Sequence, residues 1–372
     1  MCSRGRILTV VVLLNILAVS IQWHRLAKPA PIQGDRPAIK DTIQTNTVLS
    51  ATSQKTATRL DRARELIRKL RDSATKIKDV QALCMENAIT LDELRALGGD
   101  AIPAFLDEIA DKTCPASLRM LLIESVAHLS GHNDPHFDQV LMAIITDSTD
   151  DKNVRMRALR WIPETGSQPD GAKLLAMLPT QTDADLEFGI VRALRGFKVA
   201  GSDDVLAGEL SDDKSHLIRI AAYHALASQG EEAALNVLQQ SVAARLANGS
   251  QESQAQENAV AVHGVLALGE LPNSSSLPLL ESVTKNPSNS VSVRSTAFDS
   301  IAAIGGKDAL QVLRRALSNE TDQSVLVYVA RALSSQGDAS DAQACLQKAA
   351  TVSDSYTKSE LQRAAHTIQQ RK

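Results

Sequence analysis

The chain has 372 residues, 44% of them hydrophobic, enough for a sizeable core and, at about 150 residues per domain, for two or three domains. Aromatic residues make up only 3%, which argues against sandwiches, barrels and most cofactor pockets, and for closely stacked helices with an Ala/Leu/Val core. A formal net charge of -3 removes the basic footprint of a nucleic-acid-binding protein, so no nucleic acid is expected as partner. The charge is unevenly spread: residues 1–54 carry +4, residues 55–78 carry +6, and residues 79–372 carry -13.

In chain order, MCSRGR places two arginines ahead of Ile7 to Trp23, a run of seventeen residues without a charge. As a helix this run would span roughly 25 Å, slightly short of a ~30 Å hydrocarbon core. Residues 1–27 therefore read as a signal anchor, or as a cleavable signal peptide with Ala18-Val19-Ser20 as its small-residue site. The first reading predicts a single-pass membrane-anchored chain with its body outside the cytoplasm; the second predicts a secreted or periplasmic one. Residues 28–58, with three prolines and no apolar period, read as a flexible linker whose mean reach is on the order of 30 Å.

Residues 59–80 read as a basic amphipathic helix. Leu60, Ala63, Ile67, Leu70, Ala74 and Ile77 are spaced 3, 4, 3, 4 and 3, a heptad seam. It serves either to cap the body that follows or as a short coiled coil, making a homo-oligomer through residues 60–77, and its basic face could also touch anionic lipid.

Two cysteines follow, Cys84 and Cys114. In an exported chain they could bridge, closing a loop of about 30 residues and contributing roughly 3–4 kcal/mol, or remain separate buried thiols. Cys345 keeps step with Ala342, Leu346 and Ala349 on one helical stripe and reads as core. His128, His132 and His136 recur every four residues beside Asp134 and Asp138, a metal-like spacing, but Gly131 and Pro135 interrupt any single helix there. The cluster reads as a polar turn, and no metal is expected.

The body, residues 81–372, is organised by internal repetition. Val154-Arg155 is followed by Ala158, Ile162 and Gly166; the same offsets of 4, 8 and 12 recur from Ile218-Arg219 to Gly230 and from Val293-Arg294 to Gly305. Weaker copies start at Leu118, Leu186, Val260 and Val325, so successive starts lie 36, 32, 32, 42, 33 and 32 residues apart. Apolar residues at i, i+4 and i+8 make one buried helix stripe, and the terminal glycine supplies a left-handed C-cap. A second amphipathic helix follows each stop, as in 231–242 and 307–317. One such hairpin cannot cover its own apolar face, so neighbours must stack into a solenoid. The 42-residue step reflects a polar insertion, ANGSQESQAQEN at 247–258, expected on one rim as a flexible or recognition loop.

The pattern of V-R, A, L/I, G and then A-L-x-x-L, cleanest in VRSTAFDSIAAIGGKDALQVL, resembles HEAT repeats, particularly the short bacterial type of phycobilisome-lyase-like proteins, over roughly residues 86–350. The resemblance implies an all-α fold, a right-handed α-α superhelix of about seven to eight helical hairpins. It implies that Arg155, Arg219 and Arg294 are structural, joining a ladder with aspartates of the preceding turn, for which Asp150, Asp151, Asp212 and Asp213 are at hand. Leu326 departs from that pattern. Family members are mostly scaffolds and only a few are enzymes.

No H-E-x-x-H, C-x-x-C, G-x-S-x-G, Walker or G-x-G-x-x-G motif is present, so no catalytic residue and no cofactor are expected. The reading is a non-enzymatic, extracytoplasmic protein–protein interaction scaffold or adaptor. Its partner would be a protein or peptide with a basic face, drawn to an acidic groove along the second helices. The alternative is a HEAT-like lyase or enzyme subunit.

Overall fold

The computed structural model describes residues 45–129, 135–247 and 254–371, all of whose regular structure is helical. The leader of residues 1–27, and the linker ahead of Thr45, lie outside the described residues. Residues 56–372 form one compact unit. Among the described residues no helix is long and apolar enough to cross a membrane. That finding corrects the expected single-pass anchoring. The longest helix, α1 (Thr45–Ala74), has the length but carries arginines at 59, 62, 64, 68 and 71.

Helix α1 starts inside the stretch read as linker. Along its heptad seam Ala63, Ile67, Leu70 and Ala74 are buried, joined by Leu66, while Leu60 and Ile77 pack against the same core. Its basic face is also engaged: Arg59 pairs with Asp100 at 2.8 Å, Arg62 with Glu93 at 2.6 Å and Arg71 with Glu108 at 2.9 Å. The seam proposed for a homo-oligomer through residues 60–77 is therefore spent within the chain, as a cap on the acidic residues of α3 (Ala88–Leu97) and α4 (Ile102–Ala110). A short helix, α2 (Val80–Glu86), separates this cap from α3.

The repeats follow as two alternating sets. The first helices are α5 (Ala116–Leu129), α7 (Lys152–Thr165), α9 (Ala184–Leu194), α11 (His216–Gln229), α13 (Ala255–Glu270), α15 (Val291–Ile304), α17 (Gln323–Gln336) and the closing α19 (Ser355–Gln370). The second helices are α4 with α6 (Pro135–Thr146), α8 (Gln168–Met177), α10 (Ser202–Gly208), α12 (Glu232–Leu246), α14 (Leu277–Lys285), α16 (Gly306–Asn319) and α18 (Ala339–Thr351). All seven repeat starts, from Leu118 to Val325, are buried on a first helix, six of them in its N-terminal turn and Val260 one turn further in. Asp151, Asp183, Ser215, Ser290, Asp322 and Asp354 cap those helices by accepting backbone N–H bonds. Much of the body's acidic charge is thus spent where helix dipoles and orphan amides favour it.

The terminal glycines serve two physical purposes. Gly230, with φ of 70° and ψ of 7°, is the left-handed stop read from the sequence, while Gly305 has φ of 69° but ψ of -168°, a conformation that equally favours glycine. Gly166 and Gly337 are extended instead, and there a Cβ would come within 2.8 Å and 2.9 Å of the Ile162 and Leu333 carbonyl oxygens. First helices stack on first helices more closely than second helices do on each other. Gly269 of α13 shows how tight this is: its Cβ would lie 2.6 Å from the Ser300 Cα of α15. Each second helix packs against the first helix that follows it, so it covers the seam between repeats.

Candidate interaction surface

The repeat arginines point inward. Arg155, Arg219 and Arg294 are 8%, 5% and 8% exposed, and Arg119, one residue after the weak start at Leu118, is 2% exposed. Arg119 Nε donates to the Ile109 carbonyl at 2.7 Å, Arg155 Nη2 to that of Ile145 at 3.0 Å, and Arg294 Nε to that of Thr284 at 2.9 Å. Each carbonyl lies ten residues back, at the C-terminal end of the preceding second helix, where helical acceptors lack intrahelical partners. The same guanidinium then reaches forward into the next turn. Arg119 holds Asp150 through two bonds of 2.5 and 2.8 Å, Arg219 holds Glu257 at 2.5 Å, and Arg294 holds Glu320 and Asp322. Burial works against ionisation of Asp150, yet the Arg119 bonds and charge keep its carboxyl below the usual range.

This geometry corrects the expected ladder. The acid comes from the turn that follows the arginine, so Asp150 serves Arg119 and not Arg155, which meets no carboxylate among the described residues. Only Arg219 also takes an acid from its preceding turn, Asp212 at 3.1 Å, and its own Nε is left buried without a hydrogen bond. Leu326 sits in the arginine position of its repeat and is simply buried.

The repeat starting at Leu186 inverts the rung. Its arginine position is Glu187, 7% exposed, and its partner from the following turn is Lys214. Glu209, also buried, lies beside them: Lys214 Nζ is 3.4 Å from its Oε2, which accepts no hydrogen bond. Burial first, and a hydrogen bond with Glu187 second, push the Glu209 carboxyl up to about 7. No groove reaches this buried group among those found on the described residues.

What the first helices show to solvent is a row six residues after each repeat start: Glu124, Arg160, Arg192, His224, Leu266, Asp299 and Arg331. The row is mixed in charge and accompanied by rings. His128 meets Trp161 edge-on at 5.4 Å, Arg160 lies 5.8 Å over Trp161, Arg192 lies 5.5 Å over Phe188 and Arg331 lies 5.4 Å over Tyr328. At the middle, His224 Nδ1 is 2.7 Å from Glu270 Oε1 and its Nε2 is 2.9 Å from His263 Nδ1, with Arg195 3.3 Å from the same carboxylate. Burial pushes the Glu270 carboxyl up, but the His224 bond and the charges of His224, Arg195 and His263 together leave it below its usual value, and burial lowers the His263 ring. Asp299 is exposed, yet the protein packed round it raises its carboxyl. None of this row was foreseen; it follows from continuing the repeat register outward by two residues from the buried fourth position.

The remaining candidates are apart. Cys84 and Cys114 are free thiols, the first half-buried and the second buried; burial raises both, Cys114 to about 12. Cys345 is a buried core thiol. His132 and Asp134 lie outside the described residues. His136 lines a groove of about 590 Å³ between α4 and α6, floored by Pro103, Leu106, Val140 and Ala143. Among the described residues no cluster of His, Cys, Asp and Glu could hold a metal ion. The polar insertion lies outside the described residues from 248 to 253, and its last part is the start of α13.

Comparison with known proteins gives no match among curated sequences. Among solved structures, the complex of CpcE and CpcF of phycocyanin lyase from Nostoc sp. PCC7120 is similar at 17% identity and a TM-score of 0.39, covering 62% of this chain and 94% of that one. Human deoxyhypusine hydroxylase in complex with glycerol is similar at 18% identity and a TM-score of 0.30, covering 73% and 96%. Residues 250–334, which span α13 to most of α17, match the family described as HEAT repeats, so this chain, helical throughout its described regular structure, carries HEAT repeats.

Proposed function

We propose that this chain is a non-enzymatic protein-interaction scaffold, a right-handed superhelix of about seven to eight hairpins, whose partner is a protein or peptide with a basic face. The HEAT repeats over residues 250–334 support protein binding. The basic-faced partner is supported by the carboxylates at the turns before the first helices. Asp212 keeps a side-chain exposure of 87% although Arg219 and Arg245 pair with it, Asp185, in the first turn of α9, keeps 72% although Lys152 pairs with it, and Asp151 and Asp213 are exposed. These acids, rather than a groove along the second helices, supply the negative edge. Long-range attraction then governs encounter, and close packing governs release.

The test is fluorescence anisotropy of a Lys/Arg-rich peptide against the full chain. Affinity should fall steeply as salt rises from about 50 mM to about 500 mM, because the Debye length shrinks across that range. It should also weaken in an Asp185→Asn/Asp212→Asn/Asp213→Asn variant. Binding indifferent to both changes would overturn the basic-partner reading.

A second reading, a lyase or enzyme subunit, draws on His224, His263 and Glu270, which place two imidazoles and a carboxylate on one surface. Its discriminating observation is a chromophore or small ligand retained by the purified chain, seen in its absorbance spectrum.

A further inference from the structure

The first-helix surface carries an electrical anomaly on an otherwise acidic body. Arg157 and Arg160 lie on α7, Arg192 lies on its neighbour α9, and Arg195 caps the C-terminus of α9. The outer two are answered: Arg157 pairs with Glu124, and Arg195 with Glu270. The inner two are not. Arg160 has only Glu124 at 3.9 Å, a carboxylate that Arg157 holds more closely, and Arg192 has no ion pair among the described residues.

Both inner guanidiniums lie against rings, Arg160 over Trp161 and Arg192 over Phe188, and both side chains are exposed. Arg192 is nonetheless surrounded: the protein packed about it, and then the charge of Arg160, lower its pKa. Two like charges side by side, one with no ion pair and the other with only a distant, shared carboxylate, are held at a cost that a bound carboxylate would remove.

We propose that this surface over α7 and α9 binds an acidic peptide segment of a partner protein, its carboxylates taken by Arg160 and Arg192 and an adjacent apolar side chain resting on Phe188. The choice of a peptide follows from the flanks. Glu124 and Asp299 belong to the row and Glu270 bonds its His224, and a continuous phosphate backbone laid along it would meet each of them, whereas a peptide places its carboxylates only where the arginines are. Arginine suits the task because its planar fork takes a carboxylate in two bonds while stacking on a ring. The proposal rests on the reading of the chain as a protein-binding scaffold, but uses a surface other than the acidic turns.

The test is selection of short random peptides by phage display on the immobilised full chain. Enriched sequences should combine Asp or Glu with a bulky apolar residue. A synthetic peptide carrying such a sequence should bind at least about tenfold more weakly to Arg160→Glu/Arg192→Glu, since like charges now face each other. It should bind equally to Arg363→Glu, on the exposed part of α19. Circular dichroism and melting temperature verify the fold, and Arg160→Gln/Arg192→Gln replaces the double variant should that one unfold. Neutral or basic enriched sequences, no enrichment at all, or acidic peptides held equally by the double variant would each overturn the proposal. So would a single-stranded oligonucleotide that displaces the peptide and loses binding in the same variant, which would assign the surface to nucleic acid. Binding of the Lys/Arg-rich peptide should not weaken in the double variant, whose added negative charge favours it, which separates failure here from failure of the basic-partner reading.

Discussion

At the seam between α5 and α7 a buried arginine is answered by an aspartate; two seams on, between α9 and α11, the same position is a glutamate answered by a lysine. The two rungs occupy one geometric slot with the charges exchanged. The arginine version does two jobs, satisfying the Ile109 carbonyl at a helix end and neutralising Asp150. The glutamate version has no donor for a helix carbonyl, and Lys214 must also serve Glu209. Rungs at Arg119, Glu187, Arg219 and Arg294 are thus closed by an opposite charge from the next repeat, whereas Arg155 meets no carboxylate and Leu326 brings no charge; among the closed rungs, closure is poorest where two carboxyls share one ammonium.

The comparison is broken most forcefully at its stronger rung. Arg119→Ala strands Asp150, whose side chain is 3% exposed, and leaves the Ile109 carbonyl unpaired. Unpairing a buried charge costs about 3–5 kcal/mol, so the urea midpoint of the full chain should fall by an amount that dominates any single surface change. A loss below about 1 kcal/mol would mean that Asp150 recovers solvent freely and the rung is ornamental.

The inverted rung sharpens the comparison through pH. Glu209 has its carboxyl raised from the ordinary 4.5 to about 7, with Glu187 and Lys214 as the charged groups facing it. The folded chain then holds a proton that the unfolded chain releases, so this seam's contribution is full below about pH 4.5 and is lost as pH rises through about 7. Asp150 runs the other way, contributing above the ordinary carboxylate range and losing that contribution as pH falls. Glu209→Gln should therefore stabilise the chain at pH 8 by on the order of 1–3 kcal/mol while leaving it nearly unchanged at pH 4. Equal effects at both values would show that the carboxyl is ionised throughout.

Cys114 offers a probe of the strong rung, five residues from Arg119. Its thiol is buried and pushed up to about 12, whereas Cys84 is half-buried. A thiol reagent at pH 8 should label Cys84 first and Cys114 only as the cap opens, and Arg119→Ala should accelerate the second reaction alone. Peptide mapping after timed alkylation reads both.

The solenoid was legible because its code is short-range: buried starts, apolar residues a turn apart and a stop. The register of Val154, Ile218 and Val293 placed three first helices correctly, and the weaker copies at Leu118 and Leu186 fell in the same phase. The residue after each weak start was also in view, and following it would have found Arg119 and Glu187. Which acid closes a rung was not legible, because turns before and after an arginine lie at comparable sequence distances and only the direction of stacking decides between them. The surface row escaped for a related reason. The row changes from Glu124 to Arg160 and Arg192 and then to His224, so a search for repetition passes over positions where a scaffold differs from repeat to repeat. The cap was ambiguous because a heptad seam looks alike whether it meets a second copy or the first hairpin, and the ion pairs of α1 with Asp100 and Glu93 decide it.

The smallest expected effect isolates what the acid adds. Arg155 is buried like Arg119 and bonds the same kind of carbonyl, that of Ile145, yet meets no carboxylate. Replacing it with Met keeps most of the buried volume, removes a charge that no partner offsets, and leaves one helix-terminal carbonyl without its donor. The lost hydrogen bond costs about 1 kcal/mol, and relief from burying a lone guanidinium offsets part of that, so Arg155→Met should shift the urea midpoint only slightly. Arg119→Met, the same replacement but with Asp150 abandoned, should remain strongly destabilising. If the two Met variants lose equal stability, the carbonyl bond and not the carboxylate closes the seam, and the exchange of charges at Glu187 would then carry no energetic meaning.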